Sequence, residues 1–181
     1  MDAFEKVIEQ IIRQEGYWTR TSFKVELTKP EKVAIGRPSS PRWELDVVGY
    51  NAARNEIRVI ECKSYLDSPG VHYQHFDPAN KGAKRYKLFV EPRTREVVLR
   101  RLALQLTHQG LCAPNPKVKL ALVAGKVSKG ETEIEALFKR RGFIWYGPDW
   151  IFKKLEELST TGYENEVASV VSKLLLRPRK T

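Results

Sequence analysis

The stretch Trp43–Ser64 reads WELDVVGYNAARNEIRVIECKS, and its two apolar runs decide how the rest of the chain is read. Trp43–Tyr50 and Glu56–Lys63 are rich in β-branched and aromatic residues, and the polar connection Asn51–Asn55 joins them as a hairpin. If the hairpin is symmetric about the bond joining Ala53 to Arg54, Asp46 lies opposite Glu61. Directly opposed side chains have Cβ atoms about 4.5–5.5 Å apart. Strand alternation then puts Glu61 and Lys63 on one face and Cys62 on the other. Two carboxylates facing each other across a half-buried sheet repel, and a divalent cation would remove the conflict. Hard oxygen ligands suit Mg2+, which takes only one or two carboxylates and keeps several waters. A lysine beside such a centre stabilises negative charge developing on a phosphate. The chemistry these three residues suit is phosphodiester hydrolysis, with Glu61–Lys63 as a solvated edge-strand ion pair the competing reading.

Working outward, Phe4, Val7, Ile8, Ile11 and Ile12 draw one apolar stripe on a helix over Asp2–Gln14, capped by Asp2 and ended by Gly16. Tyr17–Leu27 reads as a strand. Thr28–Arg42, with three prolines, reads as a loop. Ser64–Arg93 has neither period and reads as a long connection, functional or mobile. After it come a helix over Thr94–Gln109, a strand over Lys117–Val127 and a helix over Glu131–Arg141. A strand over Gly142–Tyr146 and helices over Pro148–Leu158 and Glu164–Leu176 complete the chain. The expected order is α-β-β-β-α-β-α-β-α-α, a single α/β domain over residues 1–181 with a mixed β-sheet flanked by helices.

Composition narrows the partners. The 181 residues carry a net charge of +10, and a field of that sign attracts polyanions, nucleic acid first. Lys81, Lys84, Arg85 and Lys87 form one cluster and Arg93, Arg95, Arg100 and Arg101 another. Of these, Lys81, Lys84, Arg85, Lys87, Arg100 and Arg101 are the candidate nucleic-acid contacts, and a basic tail occupies about 177–181. Two cysteines make no disulfide framework. The charged N-terminus does not read as a signal peptide, and no apolar run approaches the roughly 20 residues a membrane span needs. The expectation is a cytoplasmic protein without membrane attachment. No glycine-rich phosphate loop and no serine or cysteine triad is present. His72 and His75 invite a metal reading but lack partner ligands. With Tyr65, Tyr73, Phe76 and Tyr86 they suit either a DNA-facing loop or satellite core packing.

The residues ELDVVGY followed by VIECKS resemble the PD-(D/E)XK nuclease superfamily, the restriction-endonuclease-like fold. The opening FEKVIEQIIRQEGY is similar to the first helix of its Mrr-like and Holliday-junction-resolvase-like members. Leu45 stands where that pattern has proline. The resemblance implies a Mg2+-dependent (endo)deoxyribonuclease, with Mn2+ able to substitute and no small-molecule cofactor. It implies that Asp46, Glu61 and the backbone carbonyl of Cys62 ligate the metal, and that Lys63 orients or activates the attacking water. Glu5 matches a first-helix glutamate that reaches the metal through water, with Glu9 its alternative, and Gln105 loosely matches a glutamine near the site. DNA is the implied partner, and a homodimer is expected from the resemblance alone. The alternatives are a non-cleaving nucleic-acid-binding subunit with a nuclease fold and an RNA-directed nuclease.

Overall fold

In the computed structural model, which describes residues 2–39 and 42–177, the hairpin stands at the centre of the sheet. Strands β2 (Trp43–Asn51) and β3 (Glu56–Lys63) pair antiparallel, with Tyr50 opposite Ile57 and Val47 opposite Ile60. This is the register the symmetric turn predicts. β1 (Trp18–Val25) pairs antiparallel with β2, while β5 (Lys117–Ala124) and β7 (Ile144–Tyr146) add in parallel beyond β3. The order β1-β2-β3-β5-β7 makes a five-stranded mixed sheet flanked by helices, an α/β architecture.

Each face of the sheet buries its own apolar layer. On one side Val47, Ile60, Ala121 and Val123 meet Ile8, Ile11 and Ile12 of α1 (Ala3–Gln14). Ile151 and Leu158 of α6 (Pro148–Thr160) and Ala168 of α7 (Val167–Leu176) join this layer. On the other side Val48, Val59, Leu120 and Leu122 meet Val98, Leu102 and Leu106 of α4 (Pro92–His108) and Phe138 of α5 (Glu131–Arg141). The alternation that a two-sided sheet requires is therefore present in β3 and β5. α7 leaves Val167, Leu174 and Leu175 exposed. Among the described residues no helix is long and apolar enough to cross a membrane.

Two segments expected as loops are ordered differently. Within Thr28–Arg42 the chain forms α2 (Lys29–Ala34), because Thr28 and Glu31 close a capping box and Pro30 sits in the first turn, where its missing N–H costs nothing. Ser64–Arg93 is not a structureless connection. It holds the two-residue strand β4 (Val71–His72), 3-10 turns at Tyr73–Phe76 and Lys81–Arg85, and the single turn α3 (Lys87–Val90). α4 begins at Pro92, two residues before the expected start. The strand expected over Lys117–Val127 ends at Ala124, and β6 (Val127–Lys129) pairs with β4 in a separate small sheet. Arg177 follows α7, while Pro178–Thr181, the rest of the expected basic tail, lie outside the described residues.

β3 and β5 end together in a tight crossing. Gly125 donates its N–H to the Lys63 carbonyl at 2.9 Å. A Cβ on Gly125 would stand 2.5 Å from the Ser64 carbonyl oxygen, closer than real side chains approach a backbone oxygen. Gly125→Ala is expected to destabilise the fold by about 1–3 kcal/mol, since the contact is with backbone that cannot rotate away. Urea denaturation measures this, and an unchanged midpoint would mean that the end of β3 yields freely.

Candidate active site

The two halves of the hairpin part company at Asp46. The β2–β3 ladder runs to Val47 opposite Ile60 and goes no further, and Asp46 Oδ2 instead accepts the Cys62 backbone N–H at 2.7 Å. On the other side of Asp46 the β1–β2 ladder skips Ser22, which has φ 50°. Val47 buries on the α1 side but Leu45, two residues earlier, buries on the α4 side. Regular alternation forbids that, so β2 changes face at Asp46 in the manner of a bulge that re-aims a side chain.

Backbone direction at Cys62 follows from the same bonds. Lys63 gives its carbonyl to β5 through Gly125, whereas the Cys62 N–H is turned to Asp46 on β2. N–H and C=O of one strand residue point to the same side, so the Cys62 carbonyl also faces β2. The Cys62 side chain packs with Phe4 and Val7 against the α1 layer, on the face opposite Glu61 as alternation predicts. Burial, reinforced by the carboxylates of Asp46, Glu5 and Glu61, pushes its thiol well above the usual range, so it is not a nucleophile.

Carboxylates crowd this corner. Burial, then the nearby charge of Asp46, pushes the Glu61 carboxyl up to about 7, against the pull of Lys63. Lys63 Nζ stands 3.7 Å from Glu61 Oε2. Glu5 on α1 is raised by the same two causes, burial first and Asp46 second. Its Oε2 is buried with no hydrogen-bond partner. A buried anionic oxygen without a donor is costly unless something cationic reaches it. Glu9, the alternative on α1, is engaged elsewhere, 2.7 Å from Lys6 and accepting from Thr19.

Among the described residues no group of three or more His, Cys, Asp or Glu side chains is arranged to hold a metal ion. The donor set here is sparser: the Asp46 and Glu61 carboxylates and the Cys62 carbonyl, with Glu5 behind them. That is the kind and number of ligands Mg2+ takes from protein, leaving its other positions to water and substrate. The unpartnered Glu5 oxygen and the raised Glu61 carboxyl both fit a cation at this point.

Glu61 forms part of the wall of a cleft of about 400 Å3. Lys32, Arg37 and Arg42 line it from the segment around α2, and Lys84, Arg85 and Lys87 from the segment before α4. Three of the expected nucleic-acid contacts are thus at the site, and three further cations there were read as loop residues. Lys81 is not among the lining residues. Arg101 is not among the lining residues either, and its Nε holds both oxygens of buried Glu31, at 3.1 and 2.8 Å, tying α4 to α2. Arg100 is exposed and stands 3.9 Å from Glu31. Gln105 likewise serves the sheet edge, donating to the Lys24 carbonyl and accepting the Glu26 N–H. Neither partnership was visible in sequence, because the partners lie 70 and about 80 residues away.

The histidines of the long segment are caps. His72 Nδ1 accepts the Gln74 N–H, and His75 Nδ1 accepts the His72 N–H. The His75 ring stacks on Tyr86 at 5.6 Å, and burial lowers its pKa. Phe76 and Tyr86 are core residues in contact with each other, so the satellite-core reading of these aromatics holds for both.

No family model matches the chain, and a search of curated proteins finds no match. Among solved structures, one described as a protein of unknown function, AF1548, aligns at 16% identity with a TM-score of 0.37, over 97% of this chain and 71% of that one.

The Glu61 carboxyl supplies a test that does not depend on turnover. With its pKa raised in the fold, the unfolded chain releases this proton near pH 4.5 while the folded protein holds it to about 7. Stability from this group is therefore present below about 4.5 and lost as pH rises through about 7. Glu61→Gln should gain thermal stability over the parent as pH is raised across this window, and melting curves read the difference. Above the window, Mg2+ should raise the parent melting temperature more than that of the variant. Equal responses to Mg2+ would remove the cation from this corner.

Proposed function

We propose that the chain is a metal-dependent nuclease that hydrolyses DNA phosphodiester bonds at the Asp46–Glu61–Lys63 corner. The observation that carries the reading is the junction of two features: the half-buried carboxylates of Asp46 on β2 and Glu61 near the end of β3, and a cleft whose walls bear six cations. A polyanion drawn by the cations meets the carboxylates only if something cationic stands between them. The corner also lies at the carboxyl end of the parallel strands β3, β5 and β7, where open α/β sheets bind ligands.

Asp46, Glu61 and the Cys62 carbonyl would hold Mg2+, or Mn2+ in its place. When bound, the cation neutralises the paired carboxylates and supplies an activated water and a polarised phosphate. Lys63 holds a positive charge within 3.7 Å of Glu61, where it orients a water and stabilises charge developing on the phosphate oxygens. Glu5 faces the same corner from α1 with one free carboxylate oxygen, able to accept a proton from a second water. Lys84, Arg85 and Lys87 grip phosphates on either side of the reacting one.

A second reading is a subunit of the same fold that holds nucleic acid without cutting it. It is favoured by Asp46 already accepting from Cys62 and by Lys63 already paired with Glu61. Incubation of plasmid DNA with the protein and Mg2+ separates the two. Asp46→Asn and Lys63→Ala should each lower cleavage by on the order of a hundredfold or more while retaining gel-shift binding in EDTA. Glu5→Gln should lose less. Binding by the parent with no cleavage of plasmid, single-stranded DNA or RNA under Mg2+ or Mn2+ would decide for the second reading.

Charge reversal tests the cleft itself. Lys84→Glu and Arg85→Glu should weaken binding on all sequences alike and flatten its salt dependence, by about one unit of slope per lost phosphate contact. An unchanged slope would place the bound strand elsewhere.

A further inference from the structure

We propose that the cleft beside Glu61 takes one unpaired polynucleotide strand, and that Arg37, laid on the Trp43 ring, is the platform on which a base next to the reacting phosphate stacks. This rests on the nuclease reading for its reacting phosphate, but the grip on the strand stands on the cleft alone.

The cleft is amphipathic in the pattern of a nucleotide. Its cations come from two separate segments, and the apolar side chains of Leu27, Ile35 and Leu88 line it together with them. A duplex turns its phosphates outward and keeps its bases stacked inside, so an apolar floor would meet nothing apolar on it. An unpaired strand offers both a flat apolar base and an anionic phosphate from the same unit. Size points the same way. A volume of about 400 Å3 is that of a small-ligand site. The major groove of a duplex is by itself about 12 Å wide, so a duplex lies over such a cleft and does not enter it.

Arg37 supplies the plane. Its Cζ stands over the Trp43 ring, 5.0 Å from the centroid, which holds the guanidinium against an aromatic surface. Arginine planes and aromatic rings are the usual surfaces for unstacked bases. Both Arg37 and Trp43 line the cleft that Glu61 borders, which sets the stacking surface and the reacting corner in one channel. Glu44, the other carboxylate of the lining, repels phosphate at its own position and so favours a defined path for the backbone.

Fluorescence anisotropy with the full-length protein in EDTA tests this without any cleavage. Labelled oligo(dT), oligo(U) and a duplex of matching length are the probes. The better of the two unpaired strands should bind at least about tenfold more tightly than the duplex, as stacking of bases predicts. Arg37→Lys keeps the charge and removes the plane. It should weaken the unpaired strand by roughly tenfold and the duplex by much less, since the charge is kept. Because Trp43 is half-buried, the lysine variant carries the test in place of a tryptophan substitution that could unfold β2. A duplex bound as tightly as either strand, or full strand affinity in Arg37→Lys, overturns the proposal. Plasmid cleavage with no strand preference would sink this inference and spare the nuclease reading. Strand preference with no cleavage under any divalent cation would do the reverse.

Discussion

Cys62 gives its backbone amide to a side chain, Asp46, at the point where it would otherwise have found a carbonyl on the neighbouring strand. Much of the site follows from that exchange. The ladder ends there, so the last residues of β3 are free to splay from β2. Asp46 is held in place, which fixes its distance from Glu61 and leaves both charges in a poorly solvated corner. Glu5 then adds a third negative group from the facing helix. A fold that only needed stability would fill this corner with apolar side chains, as it does one residue away at Val47 and Ile60.

The sheet around the corner is stiff where the corner is strained. Val47, Val48, Val59 and Ile60 are completely buried, and they lock the register one step before the charged residues begin. A one-residue slip would carry each of them to the wrong layer. The apolar core therefore enforces the approach of like charges, and the cost is met by burial elsewhere in the sheet.

The hairpin is legible in sequence because its turn is short, polar and central, and because alternation fixes the faces along β3 once the register is known; it does not do so for β2, which changes face at Asp46. Glu61, Lys63 and Cys62 take the faces so assigned. What sequence could not give depended on distant partners or on competing local signals. The prolines of Thr28–Arg42 argued for a loop, but Thr28, Pro30 and Glu31 together spell a helix start, and that signal prevailed. Lys32 and Arg37 take their places in the cleft wall from that helix and the turn after it. In sequence Arg101 is one cation among several and Gln105 one polar residue of a helix; the contacts of Arg101 with Glu31 and of Gln105 with Lys24 on β1 depend on partners far along the chain. The segment after β3 shows no period because it is built from 3-10 turns capped by Asn80 and His72, with Phe76, Tyr86 and Phe89 packed inward.

The ion pair of Glu31 with Arg101 has a consequence for how the cleft behaves in different buffers. α2, which carries Lys32, is fastened to α4 by a carboxylate that is largely out of solvent. The cations that face the cleft are mostly in water, where added salt screens them over about 8–10 Å. Ionic strength therefore separates two properties that usually change together. Salt weakens the attraction of the walls for a polyanion while leaving the walls where they are. The cleft keeps its shape as it loses its pull, and an uncharged ligand shaped like a base would find the same opening at high salt as at low.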